Sequence, residues 1–352
     1  MSELDPEASV VSSGAVLGGY RIERFIARGG MGDVYEATQL SLDRSVALKI
    51  LSSRLGDVTF ADRFRREART AAGIDHPNVL PVYEAGTLDD GRLFLAMKLV
   101  RGPDLGAVID ERGPLAVSEA VPILTQVAEA LDAAHASGLV HRDVKPANVL
   151  LEERDGATTA YLSDFGLAKS VDSGSAQTKP GSVLGTVNFM SPEQASGSAT
   201  VDARTDVYAF GCLVYATLTR QVPYPRDEQA AVLYAHVHEP PPKPSTVNAA
   251  VPPVLDRVVE RSMAKDPDSR ARSTGALMRW ATEQLPTEPP AAGVGADTTL
   301  IDSGPLPETD FPPSSSPAGG RAPTAFSAAA FAGAALGFGV LFTLSYVLGA
   351  SL

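Results

Sequence analysis

"LVHRDVKPANVLL", residues 139–151, places His141, Arg142, Asp143, Lys145 and Asn148 between two apolar ends. A solvated loop has no need of Leu139-Val140 before it and Val149-Leu150-Leu151 after it. A core strand cannot hold such charges unpaired. The stretch therefore reads as a polar loop held between two buried segments, the usual setting of catalytic residues on a stable scaffold.

Sixteen residues after Asn148 comes Asp164, in "SDFGLA", 163–168. Asp143, Asn148 and Asp164 offer the hard oxygens that magnesium and a phosphoryl acceptor require, and Lys145 can offset charge on a transferring phosphate. Upstream, "VALK" ends at Lys49. Strand alternation puts Ala47 and Lys49 on one face and Val46, Leu48 and Ile50 on the other. In "FADRFRREARTAA", 60–72, helical spacing sets Glu67 on the stripe of Phe60, Phe64 and Ala71. A carboxylate aimed at a core needs a cation, and Lys49 is the expected partner. In "IARGGMGDV", 26–34, the glycines let backbone N–H groups approach an anion. Alone, that hairpin fits a plain turn equally well. No GxxxxGK[ST] is present, so a P-loop nucleotidase is not indicated.

The chain has 352 residues, 44% of them hydrophobic, enough for one large domain or two smaller ones. A net charge of −12 argues against a nucleic-acid binder. The single cysteine excludes an intramolecular disulfide, and its setting, "AFGCLVYATL", predicts a packed thiol at Cys212. The five histidines show no zinc spacing. His236 and His238 read as surface or core residues.

Residues 1–17 are acidic, lack a secretory signal and read as a disordered tail. Residues 18–285 carry periodic apolar patterns. "YRIERFIA", "DVYEATQL", "SVALKIL" and "RLFLAMKL" predict short antiparallel strands, interrupted by one helix over 60–72. From about residue 118 the pattern turns helical. Val121, Leu124, Ala128, Leu131 and His135 share a stripe ending at Gly138, with His135 read as a satisfied core histidine. "TDVYAFGCLVYATL" is apolar all round and predicts a central buried helix. The result is an α+β chain with a small β-rich lobe (about 18–100), a larger helical lobe (about 101–285) and a cleft near "LFLAMKLV".

Residues 286–325 are rich in Pro, Gly, Ala, Ser and Thr, with five acids against one arginine, and predict a disordered linker. Residues 326–348 hold no charge over 23 positions. At about 1.5 Å per residue such a helix crosses a bilayer core of roughly 30 Å. Only four residues follow, so a C-terminal anchor without an outer domain is expected. Arg321 on the near side fits an N-in orientation, and Gly333 and Gly337 form a GxxxG that chance explains as readily as helix contact.

Taken in order, these motifs resemble the Hanks-type (eukaryotic-like) serine/threonine protein kinases, and closely the bacterial membrane-anchored branch, over roughly residues 20–283. The resemblance implies the two-lobed kinase fold. It implies that Ile26, Ala27, Arg28, Gly29, Gly30, Met31, Gly32, Asp33 and Val34 cover the phosphates of ATP. Lys49 would hold the α- and β-phosphates, with Glu67 as its helix partner. Met97-Lys98-Leu99-Val100 would form the hinge facing adenine, between Ala47 and Leu150. Asp143 would be the catalytic base and Lys145 the γ-phosphate contact, with Asn148 and Asp164 on magnesium. Asp206 resembles the residue that braces the catalytic loop, and Arg270 the partner of Glu193 in "SPE".

Three departures stand out. Ala27 replaces the first glycine of the hairpin motif, which is expected to alter ATP affinity. Lys98 replaces an acid common at the hinge; adenine is met there by backbone, so little is expected to change. Ala271 follows Arg270 where proline is common, with no function attached. Lys145 and Gly185-Thr186 resemble the Ser/Thr class, and Thr186 is expected near Asp143 and Lys145.

The implied activity is transfer of the ATP γ-phosphoryl group to Ser or Thr hydroxyls of proteins, the chain itself included. Ser170, Ser173, Ser175, Thr178 and Ser182 are candidate acceptors, Thr178 favoured, with Arg142 as the phosphate's partner. "TTLID" at Thr299–Asp302 resembles a forkhead-associated-domain ligand. Protein substrates, such a domain, a second copy of the chain and membrane lipid are the expected partners. The expected location is the inner or plasma membrane, single-pass, with the kinase domain cytoplasmic. The competing expectations are a catalytically silent membrane scaffold and a small-molecule phosphotransferase of related fold.

Overall fold

The computed structural model describes residues 11–29, 32–54, 58–165, 187–198 and 201–286. Six antiparallel strands form the first lobe: β1 (Val16–Leu17), β2 (Tyr20–Gly29), β3 (Gly32–Gln39), β4 (Arg44–Arg54), β5 (Val82–Thr87) and β6 (Arg92–Lys98). Their order is β1-β2-β3-β4-β6-β5, and helix α1 (Val58–Ala72) joins β4 to β5. The predicted alternation decides both faces of the sheet. Val46, Leu48 and Ile50 pack with Tyr20, Ile22, Tyr35 and Phe94 on one side. Ala47 and Leu51 lie on the other, with Leu93 and Leu95, under Phe60, Phe64 and Ala68 of α1. Each large apolar side chain buried this way contributes about 1.5–3 kcal/mol over its exposed state. β1 lies inside the stretch expected to be tail, paired with β2 through Val16–Arg21 and Leu17–Tyr20.

The second lobe holds α2 (Leu105–Arg112), α3 (Val117–Ala136), β7 (Val149–Arg154), β8 (Ala157–Leu162), α4 (Pro192–Ala195), α5 (Ala203–Thr219), α6 (Gln229–His238), α7 (Pro253–Ser262) and α8 (Thr274–Glu283). α5 is the predicted central helix, buried from Thr205 to Thr219 and started by the Asp202 side chain on the Arg204 N–H. Cys212 is fully buried within it, as expected. α3 buries Val121, Leu124, Ala128 and Leu131, and Gly138 just beyond it has φ 73°. β7 and β8 form a two-residue hairpin through Asp155-Gly156, both at positive φ, the geometry such a turn demands.

Among the described residues, two stretches of chain that run between the lobes are fastened by hydrogen bonds. Asn78, just after α1, donates from Nδ2 to Gln126 Oε1 (2.7 Å) and to Ala160 O (2.9 Å). Leu80 N–H bonds Leu162 O at 3.0 Å beside it. The other connection runs from β6 to α2 along β7, with Leu151 N–H on Pro103 O at 2.9 Å. Among the described residues no helix is long and apolar enough to cross a membrane; residues 326–348 lie outside them.

Candidate active site

Between α3 and β7 runs the quoted loop, and its shape is set from below by one carboxylate. Asp206 of α5, wholly buried, accepts from the N–H groups of His141 and Arg142, both at 2.7 Å, and pairs with His135 Nε2 at 2.8 Å. That bracing holds Arg142 at φ 62°, a conformation a non-glycine residue adopts only when its surroundings enforce it. His135 and Asp206 thus take the positions the sequence implies.

His141 is fully buried, and desolvation holds its pKa below the usual histidine value despite the carboxylates nearby. Its Nε2 bonds Ser163 O at 2.8 Å and Nδ1 accepts weakly from Asp143 N–H at 3.3 Å. A neutral ring protonated on Nε2 satisfies both contacts. The ring packs on Phe165, centroids 4.7 Å apart. His141 therefore joins the loop to the segment carrying Asp164.

Asp143 is fixed on both sides. Lys145 Nζ lies 2.9 Å from its Oδ2, and Asn148 Nδ2 donates to its backbone oxygen (2.7 Å) and to Oδ2 (3.2 Å). The Asn148 backbone carbonyl accepts from Ser163 N–H at 2.9 Å and from its hydroxyl at 3.0 Å, which sets Asp164 beside the loop. Asp164, at φ 58°, meets Lys49 of β4 from the other lobe, Nζ to Oδ1 at 2.7 Å. Asp143, Lys145, Asn148, Asp164 and Lys49 are thereby linked across the cleft.

The expected Lys49–Glu67 pair is not made. Lys49 is bound to Asp164, and Glu67 Oε1 instead lies 3.6 Å from Arg142 Nη1. Helical spacing put Glu67 on the inner stripe correctly but could not tell which of two inward cations it would face. Burial raises the Glu67 pKa, opposed by Arg142, Arg63 and Arg66. Arg142, noted in the sequence only as a phosphate partner, is the residue that reading missed here.

The glycine hairpin is formed by β2 and β3, with Ala27 opposite Val34, Arg28 opposite Asp33 and Gly29 opposite Gly32. Arg28 Nε and Asp33 Oδ1 are 2.8 Å apart at its exposed edge, and Ile26 is also exposed. Gly32 is required for a reason besides anion approach: a Cβ there would come within 2.1 Å of the Ile50 carbonyl. Gly30 and Met31 lie outside the described residues, as do Gly185, Thr186, the five candidate acceptors of the 170–182 segment and Thr299. Ala47, Leu150, Leu99, Val100 and Val34 meet in one apolar cluster at the cleft, where a flat aromatic base would be sandwiched.

The donor set fits magnesium. The hydrogen bonds of Asn148 use its NH₂, so its Oδ1 is the atom that can face a cation, and Asp164 adds carboxylate oxygen. Two protein donors suit an ion that takes its remaining ligands from phosphates and water.

Past the cleft, Glu193 of α4 is bound by Arg270 through two 2.8 Å contacts, and Thr205 Oγ1 donates to it at 2.7 Å. Burial works to raise its pKa, but the hydrogen bonds and charge of Arg270 outweigh it and the pKa is lowered.

Residues 20–280 match the family model for the protein kinase domain. The serine/threonine-protein kinase PknE of Mycobacterium tuberculosis is 44% identical over 275 residues, covering 78% of this chain and 47% of that protein. PknH of the same species is 40% identical over 316 residues, covering 88% of this chain and 49% of PknH. This chain thus spans about half the length of the curated relatives it matches. The crystal structure of the M. tuberculosis PknI kinase domain superposes with a TM-score of 0.63 at 32% identity, covering 79% of this chain and all of that one. With its two lobes, its braced loop and its cleft-spanning Lys49–Asp164 pair, the chain belongs to the protein kinase domain family.

Proposed function

We propose that this chain transfers the γ-phosphoryl group of ATP to serine and threonine hydroxyls of proteins, its own activation segment included. The observation that carries this reading is the Asp143 carboxylate, held by Lys145 and Asn148 and joined through Asp164 to Lys49 of the opposite lobe.

In this mechanism the hairpin 26–34 covers the phosphates, and adenine lies between Ala47 and Leu150 against the Met97–Val100 backbone. Asp143 orients the acceptor hydroxyl and takes its proton as the hydroxyl oxygen bonds the γ-phosphorus and the bond from that phosphorus to the β–γ bridging oxygen breaks, with ADP leaving. Lys145, already against Asp143, balances charge on the transferring group. Magnesium, when bound at Asn148 and Asp164, supplies charge neutralisation on the phosphates. Lys49 is engaged with Asp164 and Glu67 with Arg142, so transfer requires Lys49 to exchange one carboxylate for the other. Phosphate on the 170–186 segment, paired with Arg142, would release Glu67 for that exchange.

Retention of Lys49, Asp143, Asn148 and Asp164 supports transfer over a silent scaffold. The relatives' names, serine/threonine-protein kinases, support protein acceptors over small molecules. The domain plan is a kinase domain over 18–285, a linker over 286–325 and a membrane helix over 326–348 with the kinase domain cytoplasmic. Its support is the uncharged 23-residue run. Phospho-Thr299 facing a forkhead-associated domain, and a second copy of the chain, complete the proposed partners. The testing experiment is incubation with γ-labelled ATP and magnesium, followed by phosphoamino-acid analysis. Label on phosphoserine or phosphothreonine is expected; a chain that incorporates none, into itself or a generic protein acceptor, refutes the reading.

A further inference from the structure

Lys98 closes β6 at the entrance to the hinge, the one hinge position where a cation stands in place of the acid common there. From the sequence its side chain promised no consequence. In the fold it leaves the first lobe altogether. Its Nζ lies 2.8 Å from Glu152 Oε2 on β7 and also donates to the Tyr161 hydroxyl on β8. The ammonium stands 4.0 Å from the centre of the Tyr161 ring, within cation–π range. Tyr161 OH reaches Glu152 Oε2 at 3.3 Å, so the three groups close on one another. Burial opposes the charge on Lys98, yet its bonds to Glu152 and Tyr161 raise its pKa, and Lys98 leads the causes lowering that of Glu152. Both shifts describe a charged, attractive pair.

Its place matters more than its strength. Leu150, the floor of the apolar slot, lies two residues before Glu152 and opposite Tyr161 in the β7–β8 hairpin. The far end of the hinge segment is fastened to the same strand: Leu151 N–H bonds Pro103 O at 2.9 Å, and Asp104 bridges Leu150. Gly102 passes so near that a Cβ would come within 2.0 Å of the Leu151 carbonyl. The hinge segment is thus tied to β7 at both ends, with Lys98 the tie at the start.

We propose that Lys98 is a positioning residue for the nucleotide base: its bond to Glu152, seated on Tyr161, fixes the hinge backbone of 97–100 relative to Leu150, so that the adenine slot is formed before ligand arrives. This rests on the reading of that slot as the ATP site. Preorganisation of this kind appears in binding and leaves the chemical step alone.

The test uses the full chain and two variants, Lys98→Met, which keeps length and removes charge, and Lys98→Glu with Glu152→Lys, which reverses the pair. ADP affinity is measured by calorimetry, and KM for ATP and kcat by labelled transfer. Lys98→Met is expected to weaken ADP binding and raise KM about fivefold, with kcat at saturating ATP within about twofold, and the reversed pair to recover most of the loss. Unchanged ADP affinity in Lys98→Met, a loss carried by kcat alone, or no recovery in the reversed pair overturns the inference. A wild-type chain that binds ADP without transferring phosphate refutes the kinase reading, while the ADP arm still judges Lys98. A wild-type chain that binds no ADP overturns both.

Discussion

Glu67 Oε1 lies 3.6 Å from Arg142 Nη1, one residue before the proposed catalytic base. Its other oxygen is buried with no hydrogen-bond partner among the described residues. A carboxyl whose pKa is raised on folding has its stabilising contribution below the unfolded pKa and loses it as pH rises through the folded value. Glu67→Gln is therefore expected to raise unfolding free energy by about 1 kcal/mol at pH 8, a gain that shrinks toward pH 4. Urea titrations at the two pH values measure this. The same substitution removes the carboxylate proposed to take Lys49 during transfer and should slow it on the order of 100-fold. A destabilised Glu67→Gln chain at pH 8, or a fully active one, contradicts the account of this residue.

Asp206 carries a different burden, since it holds a backbone shape. Asp206→Ala leaves the His141 and Arg142 N–H groups and the His135 ring without their acceptor in a buried site. The expected cost is about 3 kcal/mol or more, with loss of transfer, because φ 62° at Arg142 then loses the buried acceptor that braces it. Denaturant midpoints check the first, and labelled transfer under native conditions the second.

Arg270 is fully buried at its side chain and bound to both oxygens of Glu193. Arg270→Ala strands that carboxylate and should cost about 3–5 kcal/mol at pH 7. The lowered Glu193 pKa gives stability that is present above the ordinary carboxylate pKa and lost as pH falls through the lowered value. Glu193→Gln should therefore be less stable than wild type at pH 7, with the two converging in acid. Parallel stability curves down to pH 3 would show that the pair carries no such linkage.

Cys212 is wholly buried, and burial raises its thiol pKa. Alkylation of the native chain by iodoacetamide is expected to be negligible, becoming complete in denaturant. Rapid labelling of the native chain would place α5 outside the core.

Much of this was legible because two periods recur in the residues themselves. Val46, Leu48 and Ile50 against Ala47 decided both sheet faces, and the apolar run 205–218 decided the central helix. β5 was not legible: "VYEAGT" is an edge strand with no deeply buried residue, so alternation had nothing to enforce. α2 escaped because eight residues give too few turns for a stripe. In the site, spacing identified the charged residues but not their pairing. Glu67 and Asp164 compete for Lys49, and Lys98 finds its partners more than fifty residues away, so only the packed chain decides. The role of Asp206 was legible through family resemblance alone, since a lone buried aspartate announces no acceptor geometry.

The most direct measurement compares wild type with Asp143→Asn in one preparation, reading phosphate incorporation from γ-labelled ATP beside calorimetric ADP binding. Asp143→Asn should lose transfer by at least about 100-fold while ADP affinity stays within about twofold of wild type. Transfer by Asp143→Asn at the wild-type rate would contradict the assignment of Asp143 as the base.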